Sequence, residues 1–166
     1  MAKLAPPEIE TSAPPAEELP LYYIDVEQFE ASGRSFWAAA SARFCRSCQR
    51  KYGATSDAEG SSRVKRPAKG AKPPDPFAVV HDCCSKTAGY LDSHLPITEA
   101  MFRILLAHGR KPLDLAELKG RLESWAAPAE RRRDLSLAAI RRILDHATFY
   151  SIRRAPAASA ASTKRA

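Results

Sequence analysis

Apolar side chains recur at helical spacing in the last third of the chain, which gives the clearest structural prediction. In residues 95–154, three amphipathic segments each follow a capping residue. We expect helices to start at Thr98, at Asp114 in a capping box with Glu117, and at Asp134 or Ser136. The apolar side chains predicted to point inward are Met101, Ile104, Leu105, Leu115, Leu118, Leu122, Leu137, Ile140 and Leu144. Residues 149–153 alternate as in a strand.

Three helices and a terminal strand resemble a winged-helix domain, in particular the winged-helix modules associated with bacterial RNA polymerase, such as that of its delta subunit. The resemblance covers residues 95–154. It rests on Ile104-Leu105, Pro112-Leu113, Glu117-Leu118, Ile140, Ile143-Leu144 and Phe149-Tyr150-Ser151-Ile152-Arg153. The chain departs from the pattern in lacking an evident second wing strand and in carrying three arginines before the third helix.

The resemblance implies a nucleic-acid interface. In winged-helix proteins that bind DNA, the third helix enters the major groove, while wing and loop residues bind phosphates. The implied groove-facing residues are Arg141 and Arg142, and the implied phosphate contacts are Arg131, Arg132, Arg133, Arg153 and Arg154. Two other interpretations stay open: these arginines form a solvated surface, or the domain binds a protein instead.

Shorter helices are predicted in the first half of the chain. Asp25 caps a helix that stops at Gly33, and Asp75 caps another that continues to about residue 86. Between them, Ser35 opens a helix with one apolar face, formed by Phe36, Ala40 and Phe44. Aromatic residues at this spacing are typical of a core rather than of a base-stacking platform. Residues 21–24 are too short a run to assign by period.

Polar and proline-rich segments divide the chain. Residues 1–19 and 155–166 have the composition of a disordered acidic arm and a disordered tail, and residues 52–75 that of a flexible basic loop. Within this loop, Lys65-Arg66-Pro67 faintly resembles an AT-hook but lacks its central glycine. The predicted fold is mainly α: a zinc-binding module over residues 20–94 is joined to the winged helix over residues 95–154.

All four cysteines lie in two clusters, Cys45 with Cys48 and Cys83 with Cys84. Zinc in a structural site takes four ligands in a tetrahedron, usually from two short clusters. If the second cluster is helical, His81 and Cys84 share a face. The expected ligands of a structural Zn2+ are therefore Cys45, Cys48, His81 and Cys84, with Cys83 in reserve.

Two alternatives to the metal site remain. The cysteines could be buried core residues without chemistry. The Cys-x-x-Cys spacing also occurs in thioredoxin-like redox proteins, although no βαβ pattern surrounds it here. A catalytic zinc would need a nearby acid or base, and only Asp82 is close in sequence.

Charge is distributed in blocks. The net charge is +7, with +7 in residues 36–72 and +6 in residues 101–154, whereas residues 1–35 carry −5 and residues 73–100 carry −3. Basic blocks favour a polyanionic partner, with DNA preferred over RNA, or an acidic protein surface. Alternatively, the blocks neutralise one another across the folded surface.

These observations predict a nucleic-acid-associated accessory or regulatory protein, with transcription as the candidate process, in which a zinc site braces the winged helix. The alternative is a protein–protein interaction adapter that uses the winged helix and the aromatic N-terminal module. We find no nucleophile–base pair, phosphate-binding glycine loop or paired carboxylates, so we expect neither an enzyme nor a small-molecule substrate. Without a secretory signal or a long apolar run, a cytoplasmic location and no membrane association are expected.

Overall fold

The computed structural model describes residues 19–52, 74–127 and 134–156. Within these ranges the protein is mainly helical, as predicted, with a small sheet. The helices are α1 (Val26–Ala31), α2 (Phe36–Ser41), α3 (Arg46–Tyr52), α4 (Pro76–Asp82), α5 (Ile97–His108), α6 (Leu115–Ala126) and α7 (Leu137–His146). The strands are β1 (Leu21–Ile24), β2 (Leu113–Asp114) and β3 (Ile152–Arg154).

Several predicted features fall outside the described ranges. They are nearly all of the acidic arm, the central part of the basic loop at residues 53–73, the arginines at 131–133 and the tail from residue 157. Among the described residues, no helix has both the length and the apolar character needed to cross a membrane.

Local capping determines where most helices begin. The side chains of five predicted caps accept hydrogen bonds from backbone N–H groups in the first turn of the helix that follows: Asp25, Ser35, Asp75, Asp114 and Ser136. The predicted cap of α5, Thr98, was wrong by two residues, because the helix already begins at Ile97, with Pro96 at the cap position. Gly109 ends α5 with a φ of 99°, a conformation that favours glycine.

The first strand lies in the centre of the sheet. The strand order is β2-β1-β3 and both pairings are antiparallel. Tyr22 is opposite Leu113 on one side and Arg154 on the other. Since β1 belongs to the predicted module 20–94 and its neighbours belong to 95–154, the two predicted modules share one sheet.

The predicted strand at residues 149–153 is wrong in its first half. The chain forms a 3-10 helix over Thr148–Tyr150, and Ser151 then adopts a φ of 49° before β3 begins. Tyr150 turns inward to stack on Phe102, with 4.7 Å between ring centroids, while Phe149 stays 65% exposed. The alternation of apolar and polar residues over 149–153, which predicted one strand, thus arises from a helical turn followed by a short strand.

One buried cluster extends from β1 to β3 and includes both predicted modules. The predicted inward face of α2 and the turn after it, with Phe36, Ala40 and Phe44, is buried. Phe36 packs against Phe77 of α4 at 5.1 Å between ring centroids. These aromatic residues are therefore core residues that hold α2 against α4.

Candidate metal centre

Cys45 and Cys48 are placed by the turn between α2 and α3. After Ser41 the chain makes one further turn, in which the Phe44 N–H donates to the Ser41 carbonyl oxygen at 3.1 Å. The Cys45 carbonyl oxygen accepts the first hydrogen bond of α3, from the Gln49 N–H at 2.8 Å. Cys45 therefore stands at the start of α3, and Cys48 lies in its first turn.

Cys83 and Cys84 lie where α4 ends. Cys83 has non-helical angles, φ −126° and ψ −63°, and a 3-10 helix over Cys84–Lys86 follows. This break removes the helical i, i+3 relationship that the sequence analysis assumed between His81 and Cys84. The orientations of these side chains consequently differ from those in a continuous helix.

Three thiols converge in the structure. The Sγ atoms of Cys45, Cys48 and Cys83 all lie within 4.8 Å of one another, and Cys45 Sγ is 3.8 Å from Cys83 Sγ. Cys84 lies beside them, because its Sγ accepts a hydrogen bond from the Cys45 N–H at 3.3 Å. Zn–S bonds of about 2.3 Å in a tetrahedron place neighbouring sulfurs about 3.8 Å apart, so this spacing suits a metal ion.

His81 lies outside this group of thiols. Its Nδ1 atom is 2.9 Å from an Asp82 carboxylate oxygen, and the imidazole is 63% exposed. The expected set with His81 therefore differs from the arrangement in the structure, where the reserve ligand Cys83 joins Cys45 and Cys48. The reason is the helix break at Cys83, which turns this thiol towards Cys45.

The thiols differ in their electrostatic environment. A hydrogen bond from the Cys48 backbone N–H, together with contacts to the other thiols, lowers the pKa of the Cys45 thiol to about 6 against the opposing effect of burial. Burial raises the pKa of Cys48 and of Cys84. The cluster thus favours one thiolate near neutral pH, and a bound cation would favour deprotonation of the rest.

An open cavity adjoins the thiol cluster. A cavity of about 570 Å³ lies beside Cys45, Cys83 and Cys84, and its lining among the described residues contains no histidine or carboxylate. Arg46 and Gln49 are part of this lining. The groups that can exchange protons on the described walls are the cysteine thiols and the Tyr90 hydroxyl.

A buried ion-pair network supports the turn that carries Cys45. Glu99, which is 8% exposed, accepts hydrogen bonds from Arg43 at 2.8 and 2.7 Å, from Arg103 at 2.7 Å and from the Tyr150 hydroxyl at 2.7 Å. Burial would raise the pKa of Glu99, but these hydrogen bonds outweigh it and lower the pKa to about 2. The network ties the Cys45 turn to α5 and to the segment after α7.

This network is not evident from the sequence. Glu99 precedes Arg103 by four positions, which is a helical ion-pair signal, but nothing in the sequence links either residue to Arg43 or Tyr150.

The arginines predicted to bind nucleic acid fall into two groups. Arg141 and Arg142 are exposed on α7 and form no ion pair with the residues in the described ranges. Arg153 pairs with Asp25 at 3.3 Å. Arg154 donates to Asp145 at 2.9 Å and to the Tyr22 hydroxyl at 3.1 Å.

Comparison with known proteins gives no relative for this chain: no protein-family model matches it, and neither a curated protein nor a solved structure shows significant similarity to it.

Proposed function

We propose that this protein is a nucleic-acid-binding accessory protein that contacts duplex DNA through α7 and is braced by a structural zinc ion. The observation that carries the proposal is the pair of adjacent, exposed arginines on α7. Arg43, Arg103, Arg153 and Arg154 have carboxylate partners within the fold, whereas Arg141 and Arg142 stand exposed without an ion pair to any described residue. Unpaired arginines on one helix suit the binding of a polyanion.

The order of elements supports this role for α7. The sequence α5, β2, α6, α7, β3 has the helix and strand order expected of a winged helix, with α7 as its third helix. In place of the second wing strand, which is not evident in the sequence, we propose β1, which lies between β2 and β3. We propose that the protein is a winged-helix variant whose third strand comes from the N-terminal side of the domain.

The zinc ion is proposed from the donor set. Three thiols come together from two segments that are far apart in the chain, with Cys84 beside them, and the 3.8 Å between the Sγ atoms of Cys45 and Cys83 suits the sulfur edge of a zinc tetrahedron. Cys45, Cys48 and Cys83 would be ligands, and Cys84 is positioned to complete the set. Zinc bound there would stabilise the fold by joining α3 to the end of α4.

The proposal is tested by measuring the affinity of the protein for a short fluorescent DNA duplex, and for the matching RNA duplex, at several salt concentrations. Arg141→Ala/Arg142→Ala should weaken binding and reduce the slope of log K against log salt by about two. Arg153→Ala serves as the control, because Arg153 already has a carboxylate partner.

Two results would contradict the proposal. The first is DNA binding that is detectable only at very low ionic strength. The second is an equal loss of DNA affinity in Arg141→Ala/Arg142→Ala and in Arg153→Ala. Recovery of a stoichiometric protein partner after nuclease treatment would instead favour an interaction adapter.

A further inference from the structure

A basic groove lies on the other side of the segment that carries Cys83 and Cys84. Its volume is about 720 Å³, and its lining includes His81, Lys86, His108, Arg110, Lys111 and Arg121. Among the residues that the structure describes, no aspartate or glutamate lines it. The groove lies between the end of α4, the end of α5 and the middle of α6.

The charges at the groove are only partly compensated. Three carboxylates at its margin have partners: Asp75 pairs with Arg110 at 3.0 Å, Glu117 with Arg121 at 2.6 Å, and Asp82 with His81 at 2.9 Å. Lys86 and Lys111 are exposed, and neither forms an ion pair with a residue of the described ranges. Two ammonium groups therefore remain available to an anionic ligand.

His108 is a half-buried imidazole in the lining of the groove. Burial first, and then the nearby charge of Arg121, lower its pKa against the opposing effects of the Glu117 charge and of a hydrogen bond to the Pro112 backbone. A neutral imidazole at pH 7 supplies a hydrogen-bond donor or acceptor without adding to the charge. A basic groove with such a group suits a phosphate, which offers several acceptor oxygens.

We propose that this groove binds a phosphate group, with Lys86 and Lys111 as its main ligands. We assign this phosphate to the backbone of a bound nucleic acid, and that assignment rests on the proposed function. Free inorganic phosphate has the same chemistry, so the experiment separates the two sources.

The groove is also linked to the metal centre. Residues 81–86 supply Cys83 and Cys84 to the thiol cluster, and the same segment supplies His81, Ser85 and Lys86 to the groove. The position of Lys86 therefore depends on the position of the thiols. We expect metal removal to weaken phosphate binding even though the metal does not contact the ligand.

The test uses the full-length, metal-loaded protein. Inorganic phosphate is titrated while backbone amide signals are followed by NMR, and a DNA duplex is titrated by fluorescence anisotropy. The variant is Lys86→Ala/Lys111→Ala. The control is Arg50→Ala/Lys119→Ala, which removes the same charge from helices α3 and α6 outside the groove. Thermal melting shows whether either variant is misfolded.

We expect phosphate to shift the signals of Ser85, Lys86 and Lys111, and the groove variant to weaken phosphate binding by about tenfold or more. The same variant should reduce the salt slope of DNA binding by about two, while the control changes neither result. Loss of the phosphate response without any change in DNA binding would assign the groove to free phosphate and overturn the nucleic-acid assignment.

The inference as a whole is overturned if phosphate shifts no groove signal, or if the control variant weakens phosphate binding as much as the groove variant does. Failure of the proposed function gives a different result. If the proposed function is wrong, the protein binds no DNA duplex, but inorganic phosphate can still shift the NMR signals of Ser85, Lys86 and Lys111.

Discussion

The Sγ atoms of Cys45 and Cys83 lie 3.8 Å apart, although 38 positions separate these residues in the chain. Cys48 lies in the same group of thiols, whereas the His81 imidazole is turned towards Asp82. The thiol contact thus joins the start of α3 to the end of α4.

The metal ligands should follow this geometry. Substitution of Cys45, Cys48 or Cys83 by serine should reduce bound zinc well below one equivalent, because the hydroxyl is a far weaker ligand than a thiolate. His81→Ala should retain the metal. Metal analysis of protein purified without chelators checks both expectations, and zinc loss in His81→Ala with full retention in Cys83→Ser would reverse the ligand assignment.

Metal removal should destabilise the fold. A ligand that binds only the folded state adds to its stability, and the loss of a tightly bound zinc should cost about 3 kcal/mol or more, which corresponds to roughly 10 °C in Tm. Calorimetry with and without a chelator measures the change. Cys45→Ser provides the control: its Tm should not respond to the chelator, and a response equal to that of the wild type would argue against this site.

Proline in the central strand should disrupt the whole sheet. Tyr23 lies in β1 opposite Arg153, and a proline there removes a backbone donor from a strand that has neighbours on both sides. We expect Tyr23→Pro to lower the free energy of unfolding by about 3 kcal/mol, and the control Tyr23→Ala by about 1 kcal/mol. Chemical denaturation measures both.

NMR signals of Leu113 and Ile152 extend this test, because these residues lie in the outer strands. The backbone amide chemical shifts of both residues should differ between Tyr23→Pro and the wild type. Unchanged signals for β2 and β3 would mean that residues 95–154 fold without β1.

Glu99→Gln should remove a pH-dependent part of the stability. The folded pKa of about 2 lies below the ordinary value of 4.5, so the stabilisation is complete above about pH 5 and disappears as the pH falls through the folded value. At pH 7 the variant should lose about 2 to 3 kcal/mol, and the difference from the wild type should narrow towards pH 2.

Urea denaturation across this pH range measures the Glu99 effect. Glu123→Gln is the matched control, because Glu123 pairs with Lys119 on an exposed surface and should contribute less than about 1 kcal/mol. A constant difference between Glu99→Gln and the wild type from pH 7 to pH 2 would contradict the assignment.

Most of the helix starts could be predicted from local sequence alone. Asp25, Ser35, Asp75, Asp114 and Ser136 cap helices as predicted, because a cap is a contact between residues two or three positions apart. The buried faces of α5 and α6 also follow from helical spacing. That the cysteines would form a cluster followed from their grouping in the chain.

The contacts between distant segments could not be predicted, because they depend on how the whole chain packs. β1 is too short to carry a periodic signal, and it becomes the central strand because both outer strands pair with it. Cys83 joins the thiols because α4 ends at Asp82, a boundary that spacing alone could not locate. Glu99 accepts hydrogen bonds from Arg43 and Tyr150, which are far from it in the chain. A buried carboxylate needs such partners to offset its lost hydration, and only the packing of the chain determines which residues supply them.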